Sequence, residues 1–159
     1  MSLAPGDKAP DFTLPASGGR TVRLKDHKGR LLILYFYPKA NTSGCTREAC
    51  DFQEALPQLG KLGVDVIGVS PDAMKPIESF AQKYSLTFPL ASDTEKTVAQ
   101  AYGVWGEKML YGRKYMGITR STFLIGGDGR ILAAWRNVKV PGHAAAVAQA
   151  VRSATSPAG

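Results

Sequence analysis

The stretch LLILYFY at 31–37 constrains the fold more than any other part of the chain. Seven consecutive apolar residues, rich in β-formers, lie between Gly29 and Pro38. A strand with one wet face alternates apolar and polar side chains. A strand apolar at every position is buried on both faces, as in a sheet covered by helices. A second such run, VDVIGVS at 64–70, ends at Pro71. Between the two, Ala49, Phe52, Leu56, Leu59 and Leu62 recur at helical spacing, which predicts a helix over 44–62 packed on the sheet. Pro57 lies inside that segment and predicts a kink or an interruption.

The alternation continues down the chain. Ile77, Phe80, Ala81 and Tyr84 keep one face apolar in a helix at about 73–84, and a short strand is expected near 89–91. Val98, Ala101 and Tyr102 mark a short helix at 95–102. STFLI (121–125) and RILAAW (130–135) are separated by Gly126, Gly127, Asp128 and Gly129, a strong hairpin signal. Residues 143–154 read as a helix, 12–24 as a small hairpin, and 154–159 as a flexible tail. A βαβα series followed by ββα predicts an α/β fold of the thioredoxin-like kind: a central mixed sheet flanked by helices, with an N-terminal β-hairpin extension. A chain of 159 residues suits one domain over 1–159 with one sizeable core.

The net charge of +7 is dispersed. Lys25, Lys28 and Arg30 sit near one turn, Arg113 and Lys114 near another, and no block of five like charges occurs. That is a solvated surface rather than a nucleic-acid stripe. No run approaches the roughly 18 apolar residues of a membrane span. The start, MSLAPGDKAPDF, lacks the apolar core of a secretory signal. The expectation is a cytoplasmic protein, or a mature form that has lost its targeting segment.

Only two cysteines occur, Cys45 and Cys50. They could be a redox couple, half of a metal site or two inert thiols. Metal ligands at such spacing usually come with a second pair, and only His27 and His143 remain, each read as a surface or cap residue. Cys45 follows a buried strand and opens a helix, a place favoured by catalytic groups in open α/β sheets. Unpaired N–H groups and the positive end of the helix dipole there favour a thiolate, and Thr42, Ser43 and Gly44 supply capping chemistry. On an ideal helix, residues five apart are about 8–9 Å apart at Cα, beyond the usual disulfide limit of about 7 Å. If the two cysteines join, the first turns must unwind.

The segment from Pro38 to Cys45 resembles the peroxiredoxin pattern Pro-x-x-x-Thr-x-x-Cys, and Arg120 in GITRSTFLI is similar to that family's second signature. The resemblance extends over nearly the whole chain, including APDFTL (9–14), FYPKANTSGCTREAC and the segment 102–125. It is closest to the bacterioferritin comigratory protein subfamily, whose members place the resolving cysteine five residues after the peroxidatic one. By that resemblance Cys45 is peroxidatic, Cys50 resolving, and Thr42 hydrogen-bonds the peroxide. Arg120 stabilises the thiolate and the developing charge, Pro38 shields the pocket from water, and Glu48 orients Arg120.

The function implied is reduction of hydrogen peroxide or an organic hydroperoxide, through a Cys45 sulfenic acid and a Cys45–Cys50 disulfide, recycled by a thioredoxin-like reductant. No cofactor or metal is implied, no nucleic-acid or membrane partner, and a monomer is expected. A thioredoxin proper would carry Cys-x-x-Cys and a proline before STFLI; this chain has neither. It departs from the subfamily at Ser43, often proline, and at Gln53, often arginine, where altered surface contacts are expected. The competing readings are a general disulfide oxidoreductase and a redox-sensing interaction module.

Overall fold

A computed structural model describes residues 3–155. In chain order the strands are β1 (Thr13–Ala16), β2 (Arg20–Arg23), β3 (Leu31–Phe36), β4 (Val64–Ser70), β5 (Leu90–Ser92), β6 (Trp105–Leu110), β7 (Arg113–Ile118), β8 (Ser121–Ile125) and β9 (Ile131–Trp135). The helices are α1 (Ser43–Lys61), α2 (Met74–Lys83), α3 (Thr97–Ala101) and α4 (His143–Thr155). Seven strands form one mixed sheet in the order β2-β1-β5-β4-β3-β8-β9. β3 sits near its centre, parallel to β4 from Leu31↔Val64 to Phe36↔Val69 and antiparallel to β8. The N-terminal hairpin joins the sheet through a bridge from Ala16 to Ala91.

The continuous apolar run of β3 is explained by the two cores. Leu32, Leu34 and Phe36 enter one, with Phe12, Ile67, Tyr102 and Phe123. Ile33, Tyr35 and Tyr37 enter the other, beneath Phe52 of α1, Phe80 of α2 and Val147 of α4. Both faces are therefore dry, as the sequence pattern requires.

Two expectations need correction, and one element is added. α1 runs unbroken through Pro57, so no interruption occurs there. Proline lacks an N–H, which costs one intrahelical bond, and the burial of Phe52 and Leu59 on either side holds the helix to the sheet. α4 continues to Thr155, which takes 154 and 155 out of the expected tail; the rest of that tail, 156–159, lies outside the described residues. The added element is a separate two-stranded hairpin of β6 and β7 that the apolar pattern does not announce. Among the described residues no helix is long and apolar enough to cross a membrane.

Candidate active site

β3 delivers the chain to Pro38, and α1 begins five residues later at Ser43. The loop between them is held from beneath by Asp72, whose Oδ2 accepts from the Ala40 amide (2.7 Å) and the Ser70 hydroxyl (2.8 Å). Asn41 takes a left-handed conformation with φ 63°, which turns the backbone into the helix. Thr42 is the residue preceding α1, but its hydroxyl does not cap the helix. It donates instead to the Lys39 carbonyl at 2.9 Å. The capping expected of Thr42 is thus replaced by a bond that closes the loop.

Cys45, in the first turn, is 1% exposed. Arg120 reaches it from the short link between β7 and β8: Nη2 lies 3.2 Å from the Cys45 sulfur, and Nη1 lies 2.6 Å from Glu48 Oε1. A Cβ on Gly44 would come within 3.3 Å of Nη2, so the glycine leaves room for the guanidinium. The Arg120 backbone is fixed in turn, its carbonyl accepting from the Val138 amide at 2.9 Å. Glu48, one turn after Cys45, is 1% exposed, and its Oε2 has no hydrogen-bond partner among the described residues. Burial pushes its carboxyl up to about 7, against the charge and hydrogen bond of Arg120. Cys50 is half-buried further along α1, and burial raises its thiol, with Asp51 adding to the effect. Both cysteines are free thiols within one continuous helix. Pro38 and Thr42 are exposed at the mouth of the loop.

The expected residues therefore converge: Cys45, Glu48 and Arg120 touch in series, Thr42 and Pro38 frame the loop, and Cys50 lies apart on the same helix. The pattern did not single out Tyr35 and Tyr37, which line the inner side of the site. Tyr35 stacks on Phe52 at 4.9 Å and lies 5.6 Å from Tyr37. Nor did it mark Asp72, whose signal is the Ser70-Pro71-Asp72 turn at a strand end. His143 is not a surface residue: it is 6% exposed, bonded through Nε2 to the Thr122 hydroxyl at 2.8 Å and wedged between Phe52 and Trp135. Burial, helped by the Arg120 charge, lowers it to about 4, so it is neutral at ordinary pH. His27 pairs with Asp65 at the opposite end of the sheet, 2.6 Å away, rather than capping a helix.

A buried cysteine held against a guanidinium that is itself anchored by a carboxylate is a thiol arranged to bear negative charge. The family model of AhpC/TSA matches residues 5–134. The chain belongs to the AhpC/TSA family. A putative peroxiredoxin Bcp of Coxiella burnetii is 52% identical over 147 residues, covering 92% of this chain and 97% of that protein. Peroxiredoxin Bcp of Bacillus subtilis is 45% identical over 152 residues, covering 96% and 97%. Among solved structures, a cysteine-to-serine mutant of PrxQ from Xylella fastidiosa superposes with a TM-score of 0.93 at 40% identity, covering 98% and 99% of the two chains. A bacterioferritin comigratory protein from Xanthomonas campestris, studied for alkyl peroxide reduction, gives 0.89 at 40% identity, covering 98% and 99%. The resemblance to the Bcp branch and the thioredoxin-like fold both hold, and this family member is a thiol peroxidase and an oxidoreductase.

Proposed function

We propose that the protein reduces hydrogen peroxide and organic hydroperoxides with Cys45 as nucleophile. The observation that carries the proposal is the 3.2 Å contact between Arg120 and the Cys45 sulfur in a buried first helical turn. The Cys45 thiolate attacks one peroxide oxygen. An S–O bond forms, the O–O bond breaks, and the departing oxygen leaves as water or alcohol after taking a proton. Arg120 keeps its charge throughout and offers donors to both the sulfur and the charge developing on the leaving oxygen. Thr42 enters chiefly as an acceptor, because its own proton is committed to Lys39. Pro38 limits water at the mouth, and Glu48 holds Arg120 in position.

The Cys45 sulfenic acid then condenses with the Cys50 thiol, releasing water and leaving a disulfide. A thioredoxin-like dithiol reduces that disulfide, so its two electrons reach the peroxide through the protein. The alkyl peroxide reduction activity studied in the Xanthomonas relative supports the wider substrate class. We place the protein in the cytoplasm as a monomer built of one domain. In single-turnover stopped flow, Cys45→Ser abolishes peroxide consumption. Cys50→Ser keeps the first turnover and loses recycling by thioredoxin and its reductase. A wild-type rate from Cys45→Ser would sink the assignment.

A further inference from the structure

The reductant needs a place to dock, and the surface next to Cys50 is a poor one. The groove there is lined by Asn41, Ser43, Thr46, Arg47 and Asp51 from the start of α1 and its lead-in, with Lys83 opposite. Those first turns must unwind before Cys45 and Cys50 can join, because about 8–9 Å separates residues five apart on a helix. The reductant meets the protein only in that disulfide form. A docking surface for it must therefore persist when the start of α1 does not.

The β6–β7 hairpin meets that condition. It pairs with no other strand and lies outside the sheet. Seven large apolar side chains are exposed among the described residues; five of them, Met109, Leu110, Tyr111, Tyr115 and Met116, are on this hairpin. The exposures reach 63% at Met109 and 95% at Tyr111. The register spreads the four strand residues over both faces, Met109 and Met116 on one and Leu110 and Tyr115 on the other. Trp105↔Ile118, Glu107↔Met116 and Met109↔Lys114 are successive pairs on a single face. At its root that face closes the core through Ile118 and Trp105. Further out it carries Met109 and Met116, both more than half exposed. A partner seated there rests on the hairpin and the protein body together. Two residues after Ile118 comes Arg120, whose guanidinium touches Cys45.

We infer that the projecting end of the β6–β7 hairpin is the docking surface for the thioredoxin-like reductant, a partner presenting an apolar patch within acidic surroundings. This rests on the peroxidase reading above. Three basic residues, Lys108, Arg113 and Lys114, are spread over the two faces of the hairpin with one acidic residue, Glu107, which pairs with Lys114 at 3.5 Å, on a chain of net charge +7. That charge repels a second copy of the same chain and favours an acidic partner. Tyrosine, arginine and methionine are the residue types enriched at protein interfaces, and methionine adapts to partners met transiently.

The test uses the full chain. Met109→Ser with Met116→Ser alters only exposed positions. Single-turnover peroxide reduction should equal wild type, while KM for thioredoxin rises at least about fivefold with kcat unchanged. Arg113→Glu with Lys114→Glu should raise the same KM, with the difference shrinking as salt is added. An unchanged KM in both variants overturns the proposal. If KM is unchanged but either variant loses binding to anionic phospholipid vesicles, or shifts a dimer to monomer, the hairpin belongs to a membrane or to a second copy instead. A wild type that reacts with peroxide but is not recycled by thioredoxin overturns the reductant and this surface together. A wild type that does not react with peroxide overturns the Cys45 assignment itself.

Discussion

At the scale of residues, the site is a chain of three contacts in which each member depends on the next. Arg120 is useful to Cys45 only where its fork is aimed at the sulfur, and Glu48 supplies the aim by taking the other nitrogen at 2.6 Å. Replacing Arg120 with methionine keeps much of the side-chain bulk and removes the donors. Its peroxide reaction should slow by about 10²–10³-fold, the usual cost of one preorganised donor. Glu48→Gln keeps an acceptor but loses the charge that holds the guanidinium, and about a tenfold loss, or about 1.4 kcal/mol, is expected. Because burial raises the Glu48 carboxyl to about 7, the wild-type rate should rise through that pH as the ion pair forms. A pH–rate profile of Glu48→Gln without that inflection is the expected result; an inflection that survives would assign it to another group.

At the scale of elements, α1 has two duties that conflict. In the proposed cycle its first turns hold Cys45 against Arg120 and then let go so that Cys50 can approach. The buried side chains of Cys45, Glu48, Ala49 and Phe52 favour the folded form. Gln53 lies three residues beyond Cys50, just past the segment that the proposed cycle would move. Its side chain makes two bonds to Thr87, accepting from the amide at 2.8 Å and donating to the hydroxyl at 2.9 Å. The altered surface contact expected from a glutamine here is this clamp. Each bond is worth about 0.5–1.5 kcal/mol, and both are exposed, so about 1 kcal/mol in total is at stake. Gln53→Ala should speed disulfide formation about fivefold. Hydrogen exchange should show faster opening over 44–52, with the peroxide step unchanged. Equal exchange rates in the two proteins would remove Gln53 from the hinge.

At the scale of the whole molecule, two carboxylates at opposite ends of the sheet give stability opposite pH dependences. Asp65, at the start of β4, is partly buried, which alone would raise it. Hydrogen bonds from Arg30 and His27 override that and hold its carboxyl below the ordinary 3.8. Its contribution is present above 3.8 and is lost as the pH falls through the lower, folded-state value. Glu48 works the other way. Its contribution is full below the ordinary 4.5 and is lost as the pH rises through about 7. Thermal unfolding followed by circular dichroism should therefore show Tm falling at both ends. Asp65→Asn should flatten the acid side and Glu48→Gln the side between pH 5 and 7.

The order of strands and helices was legible because β3 and β4 are apolar at every position and α1 is apolar at helical spacing; burial on both faces of a sheet leaves no other pattern. That Cys45, Thr42 and Pro38 lie close together was legible too, since a strand end, a loop and a helix start adjoin in sequence. The β6–β7 hairpin was not. Its turn is Tyr111-Gly112, with φ of 50° and 75°, rather than the usual asparagine–glycine, and its outer residues alternate toward no core. Nor could sequence show that His143 is buried beneath Phe52, or that the Thr42 hydroxyl closes its own loop instead of capping α1. Arg120 was placed at the site by family likeness alone, because 75 residues separate it from Cys45. Sequence by itself determined which segments must be buried and that the Cys45 thiol stands between a buried strand and a helix start. Only the tertiary structure decided what touches that thiol, because the antiparallel pairing of β8 with β3 carries the residue before β8 back to the end of the strand from which Cys45 departs.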